Sequence, residues 1–314
     1  TVWKQADRYG VPRIAFINKM DRRGANFDRV LEMMREVLGA TPAPVQIPIG
    51  AEDEFVGVID LIANEAKTWH EDDQGVQVHS GPIPAELVEE AEAARAELVD
   101  AVAAASEDDE LIEQYLETGE LTQDQIRAGL RAAALAGTVV PVFCGASLRN
   151  RGVQLLLDGV VAYLPSPLDV PPVTGQNPTS GEAIERAAHD DEPLSALAFK
   201  IAADPNVDRV VFVRIYSGVL KSGSVLWNPR LSRRERVTRI LQMHANRREV
   251  VQEARTGDIV VLIGPRFTST GDTLCTRDDP IVLESMHFPA PVVSVAVEPR
   301  SERDKDTLEI ALGV

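Results

Sequence analysis

The chain has 314 residues, is 44% hydrophobic and 26% charged, and carries a formal net charge of −17. It is long enough for one large domain or about two to three ordinary ones, it has no apolar run of about 18 residues that would cross a membrane as a helix, and its acidity argues against a surface coated throughout in nucleic acid. Its two cysteines, Cys144 and Cys275, stand far apart, which suits a reducing compartment and gives no metal-site spacing.

The opening residues, Val2 to Tyr9, read as the last turns of a helix closed by Gly10. An apolar run at 11–17 predicts a buried strand of a parallel sheet. A polar loop follows, and Asn26 is placed to cap a helix whose apolar face is Leu31, Met34 and Leu38, with Gly39 closing it. Strand, loop, helix is the grammar of an α/β domain, in which ligands sit beyond the carboxyl ends of the strands. Short strands are expected at 45–49, 56–62 and 66–70. Helical signals then take over: Leu87, Ala91, Ala94 and Leu98 share one face, and Thr122 with Gln125 forms a capping box for a helix ending at Gly137. The acidic residues crowded into 86–124 fall mostly on the opposite, solvated faces. A second buried strand at 139–143, the loop Cys144-Gly145-Ala146-Ser147 and a helix near 152–163 repeat the strand–loop–helix pattern.

Prolines 165, 167, 171, 172, 178 and 193 mark a linker over 166–192. From Leu194 the period becomes two. Strands are expected at 194–201, 210–216, 224–227, 236–241 and 258–263, with Gly-rich turns between them, which predicts a small antiparallel barrel. Seven arginines lie between 229 and 250, among them Arg233, Arg234 and Arg236. A local basic face of this kind can hold phosphates on an otherwise acidic chain. Past Pro280 a strand at 292–297 reads as the start of a further domain. The first residue is Thr and the last run breaks off within an apolar pattern, so both ends are expected to lie inside a longer protein.

The chemistry concentrates in two loops. Asn18-Lys19-Met20-Asp21 ends a buried strand. A carboxylate there can accept both the ring N–H and the exocyclic amine of guanine, and adenine lacks that donor pair. Asn18 can tie loops together, and the Lys19 stem can lie over a base plane. At Gly145-Ala146-Ser147 small residues let backbone N–H groups approach a ligand, where one could donate to the guanine carbonyl. No Gly-x-x-x-x-Gly-Lys-Ser/Thr stretch occurs, so a phosphate-cradling loop and magnesium-holding residues are expected outside this chain. No histidine has ligand spacing, and no catalytic or metal-binding residue is assigned within the chain.

These residues resemble bacterial-type elongation factor G, a translational GTPase. The likeness is dense at 1–27 (TVWKQADRYGVPRIAFINKMDRRGANF), 49–61 (IGAEDEFVGVIDL) and 150–168 (NRGVQLLLDGVVAYLPSPL), and resumes at 214–224, 242–246, 270–275 and 288–299. The resemblance implies a multidomain α/β plus β chain: residues 1–165 as the C-terminal part of a P-loop GTPase-type parallel-sheet domain, with 49–137 an inserted α/β subdomain; 166–192 a linker; 193–279 a β-barrel second domain; and 280–314 the start of a truncated α+β third domain. One departure stands out. The family usually reads Gly-Ser-Ala where this chain has Gly145-Ala146-Ser147, which leaves open which of Ala146 and Ser147 faces the base.

The resemblance further implies GTP and GDP as ligands, with Mg2+ held by residues outside this chain. The expected partner is the ribosome, through small-subunit rRNA on the barrel, with tRNA and mRNA engaged indirectly. The protein is expected to be cytoplasmic, monomeric and free of membranes. The implied activity is GTP hydrolysis coupled to translocation of tRNA and mRNA, with this chain alone inactive. The alternatives are a related GTPase of ribosome recycling, release or protection, and a non-catalytic RNA-binding module.

Overall fold

The structure is a computed structural model. It describes residues 1–70, 74–204, 208–245, 247–283, 295–302, 304, 305 and 308. The chain forms two compact units, Thr1–Val170 and Pro171–Val314.

The first unit is built on a three-stranded parallel sheet, with Val140–Cys144 between Ala15–Ile17 and Pro42–Pro44. The central strand is buried throughout, as its continuous apolar run requires. Only Ala15–Ile17 of the strand expected at 11–17 joins the sheet. The strand expected at 45–49 forms as Gln46–Ile49, preceded by an unanticipated strand, Pro42–Pro44. Val45 is the switch between them: its N–H donates to Val142 of the parallel sheet, and its carbonyl accepts from Leu61 of the next one. That next sheet is antiparallel, in the order Gln46–Ile49, Gly57–Asp60, Glu65–Thr68 and His79–Gly81, the last unanticipated.

The helix Phe27–Leu38 starts where Asn26 accepts the Arg29 N–H, and ends at Gly39 in the left-handed region. Such a cap contributes about 1 kcal/mol. Its buried face is Phe27, Leu31 and Met34, while Leu38 is 40% exposed. Leu38 is the last helical residue. The helices Val88–Ala105, Asp109–Thr118 and Gln123–Ala136 cover the core. The Thr122–Gln125 capping box is formed. Ile126 and Leu130 are fully buried, a contribution of roughly 1.5–3 kcal/mol each. At Gly129 a Cβ would stand 2.5 Å from Val102, so glycine permits the close approach of two helices.

The second unit is mainly one antiparallel sheet, in the order Arg233–Arg236, Val225–Asn228, Thr273–Cys275, Ser195–Asp204, Asp208–Ser217, Ile259–Ile263, Arg239–His244, Arg247–Val251. Arg233–Arg236 at one end runs through only Val237 and Thr238 into Arg239–His244 near the other. Val237 bonds to Ser224 and Thr238 to Ile263. The two ends therefore meet, and the sheet curls around Val211, Val213, Ile215, Leu226, Ile240 and Leu262. The single strand expected at 236–241 is broken at this corner.

The segment read as a linker is partly ordered. Val173–Gln176 and Ala183–Arg186 form a hairpin, and Val282–Leu283 pairs with its first strand. Ile281 and Leu283 are buried, with Val173, Ile184 and Trp227 packed against them, so part of the segment read as a linker packs with the residues that follow Pro280. Of the strand expected at 292–297, residues 292–294 lie outside the described residues, and Val295, Ala296 and Val297 are in no strand.

Candidate functional site

Parallel pairing in register, with Ile17 opposite Cys144, sends the two loops of interest out of the same end of the sheet. The loops are stitched together by backbone. Gly145 donates its N–H to Ile17 and accepts from Met20 at 3.1 Å. Glycine is required at 145, because a Cβ would stand 2.3 Å from the Arg151 carbonyl and 2.8 Å from the Phe16 ring.

Asn18 joins the loops a second time. Its Oδ1 accepts from the Lys19 N–H at 2.7 Å and from the Ser147 N–H at 3.0 Å. Lys19 sits at φ 62°, a left-handed conformation that few non-glycine residues adopt, and the residue is exposed. Met20, 1% exposed, anchors the loop in the core. Asp21 turns its carboxylate inward: the side chain is 8% exposed, and Oδ2 lies 3.2 Å from Nε of Arg149.

The three residues of the second loop part company. Ala146 is buried, and its N–H donates to Arg151 at 2.9 Å. Gly145 is spent on the sheet. Ser147 is exposed beside Asn18. Burial thus separates the two: Ala146 lies inside the fold and Ser147 at its surface.

Three contributors were not anticipated. Glu52, in the turn Glu52–Glu54, clamps the first loop: its N–H donates to Met20 at 2.8 Å, and its Oε1 accepts from Gly24 at 2.6 Å. It does so at φ 56°. Arg149 and Arg151 supply guanidinium groups on either side of the turn, Arg149 to Asp21 and Arg151 to the Phe55 carbonyl. Both contacts span distant stretches of chain, and nothing in their spacing announces them.

The two loops thus bring together a nearly buried carboxylate, Asp21, held by Arg149, and the exposed Ser147, whose N–H is donated to Asn18. Burial pushes the Cys144 thiol far above its usual pKa, so it stays protonated and unreactive. Among the described residues no group of three or more His, Cys, Asp and Glu could hold a metal ion, and no helix is long and apolar enough to cross a membrane.

In the second unit, Arg234 and Arg236 line an open groove of about 720 Å³ together with Arg209, Arg266 and Phe267. Arg233 stacks on the Phe267 ring at 3.8 Å. Glu235, on the same strand, is buried and accepts from the N–H groups of Arg266 and Phe267, which fixes the far wall of the groove. Arg230 is committed elsewhere, to Asp272.

Residues 1–166 match the family described as the elongation factor Tu GTP binding domain, and residues 193–277 match elongation factor G domain 2. Over 99% of its length the chain superposes on a crystal structure of a Thermus thermophilus protein, with a TM-score of 0.79 and 26% identity. It spans 43% of that protein's chain. With more than half of its 314 residues inside the first match, the chain belongs to the elongation factor Tu GTP-binding family of translational GTPases.

Proposed function

We propose that this chain is part of an elongation factor G-like protein that couples GTP hydrolysis to movement of tRNA and mRNA on the ribosome in the cytoplasm. The carrying observation is the hydrogen bond from Ser147 N–H to Asn18 Oδ1, across 129 positions, which assembles one guanine-reading site from two loops. In that site Asp21 reads the N–H and amine edge, the loop at Ser147 lies on the carbonyl side, and the Lys19 stem covers the base plane. Gly145 and Ala146 shape the loop from within. The phosphate grip and Mg2+ ligands belong to residues outside this chain, and the groove of Arg234 and Arg236, flanked by Arg233, takes rRNA phosphates. The match of residues 193–277 to elongation factor G domain 2 supports a translational GTPase of this kind, with recycling, release or protection as the alternative roles.

The test is GTP turnover and mRNA movement on ribosomes by the whole protein that carries this sequence. We expect both. Turnover without mRNA movement would assign the protein to one of the other ribosomal roles. The 314-residue chain alone is expected to give no turnover above background.

A further inference from the structure

Asp21 is already occupied. Its partner, Arg149, ends the turn Ser147–Arg149, whose first residue holds Asn18. The backbone of that turn is held, with the Arg149 N–H donating to Ala146 at 2.9 Å. The Arg149 side chain is 51% exposed, against 8% for Asp21. The acceptor is therefore fixed and nearly buried, while the donor sits on a long stem and is half in solvent.

The chemistry of the two donors coincides. A guanidinium presents N–H groups on nitrogens that share one sp2 carbon. The edge of guanine that a carboxylate reads, a ring N–H and an exocyclic amine on the same carbon, has the same connectivity. One nearly buried carboxylate can receive one such fork at a time.

We propose that Arg149 is an internal stand-in for the base: it holds Asp21 while the loop is empty, and guanine displaces it. The proposal rests on reading residues 18–21 as the guanine loop. It gives Arg149 two effects. The Asp21 charge is never buried without a partner, so the loop keeps its shape without nucleotide. Apparent affinity is lowered by the fraction of molecules in which Arg149 still holds Asp21. A base without the paired donors cannot evict Arg149, so the residue adds to discrimination against adenine by competition.

The test is NMR of this 314-residue chain, following the Arg149 Nε–H and the backbone amides of Asn18 and Ser147 during titration to millimolar GDP or ADP. GDP is expected to move all three signals with one midpoint, and ADP none. In Arg149→Gln the GDP midpoint should fall about two- to fivefold, the scale of a half-exposed ion pair, and in an Asp21→Asn background Arg149→Gln should change nothing further. Amide shifts with an unmoved Arg149 signal, or an unchanged or higher midpoint in Arg149→Gln, overturn the proposal. If GDP moves neither amide, the reading of the loop itself fails, and the proposal with it.

Discussion

Asn18 and Ser147 belong to loops 129 positions apart, yet Asn18 Oδ1 receives the Ser147 N–H at 3.0 Å. Asn18→Ala removes that acceptor and the one for Lys19 N–H. A hydrogen bond of this kind contributes about 0.5–1.5 kcal/mol net. Guanine-nucleotide affinity of the whole protein should therefore fall roughly 2- to 10-fold, read by fluorescence titration. An unchanged affinity would show that the two loops hold their places without Asn18.

Asp21→Asn should exchange the base that is read. The amide keeps one acceptor for the ring N–H but offers a donor where the carboxylate accepted the amine. Xanthine carries a carbonyl at that position. GDP affinity should drop roughly 10- to 100-fold, the worth of a charge-assisted hydrogen bond, with a gain for the xanthine nucleotide. Equal loss for both nucleotides would contradict the assigned role.

Glu52 holds the first loop from the turn Glu52–Glu54 while at φ 56°. Its backbone bond to Met20 survives any substitution, but the bond to Gly24 does not. Glycine tolerates that φ and alanine does not. Glu52→Ala should cost about 1–2 kcal/mol in urea unfolding and Glu52→Gly measurably less. The reverse order would mean that the left-handed backbone carries no strain.

Arg233, Arg234 and Arg236 give a salt-dependent prediction. If they meet phosphates, replacing all three with Ala in the whole protein should weaken ribosome binding. The plot of log K against log salt should also flatten, by about 0.7–0.9 for each phosphate no longer neutralised. Ser or Ala in place of Arg230 should leave the slope alone, because its charge is spent on Asp272.

Asp272 sets an acid limit on the second unit. Burial works to raise its pKa, but donors from Arg230, Ser269 and Asn228 outweigh it, and the carboxyl titrates below its ordinary 3.8. A depressed folded pKa contributes stability that is complete above about pH 4 and lost as pH falls through the folded value. Asp272→Asn should thus cost roughly 1–3 kcal/mol in urea unfolding at about pH 6, and the gap from the unsubstituted chain should shrink at about pH 3.

Local pattern alone determined the elements that rest on local physics. The cap at Asn26, the capping box at Thr122 and Gln125 and the buried strand before Cys144 depend on residues a few positions apart, and the structure has them. The place where two loops leave one sheet was legible for the same reason, since apolar runs followed by small polar residues announce strand ends. Tertiary structure decided whatever depends on distant contacts. Pro42–Pro44 joins the parallel sheet and Gln46–Ile49 the antiparallel one, because Val45 between them bonds to both sheets at once. The hairpin at 173–186 exists because Val282–Leu283 returns to it. Ala146 and Ser147 are alike in size and adjacent in sequence. Only the bond from Ala146 to Arg151 turns one inward and leaves the other beside Asn18. Asp21, too, is a lone carboxylate in sequence; the fold brings it Arg149, because a charge so nearly buried must have a partner.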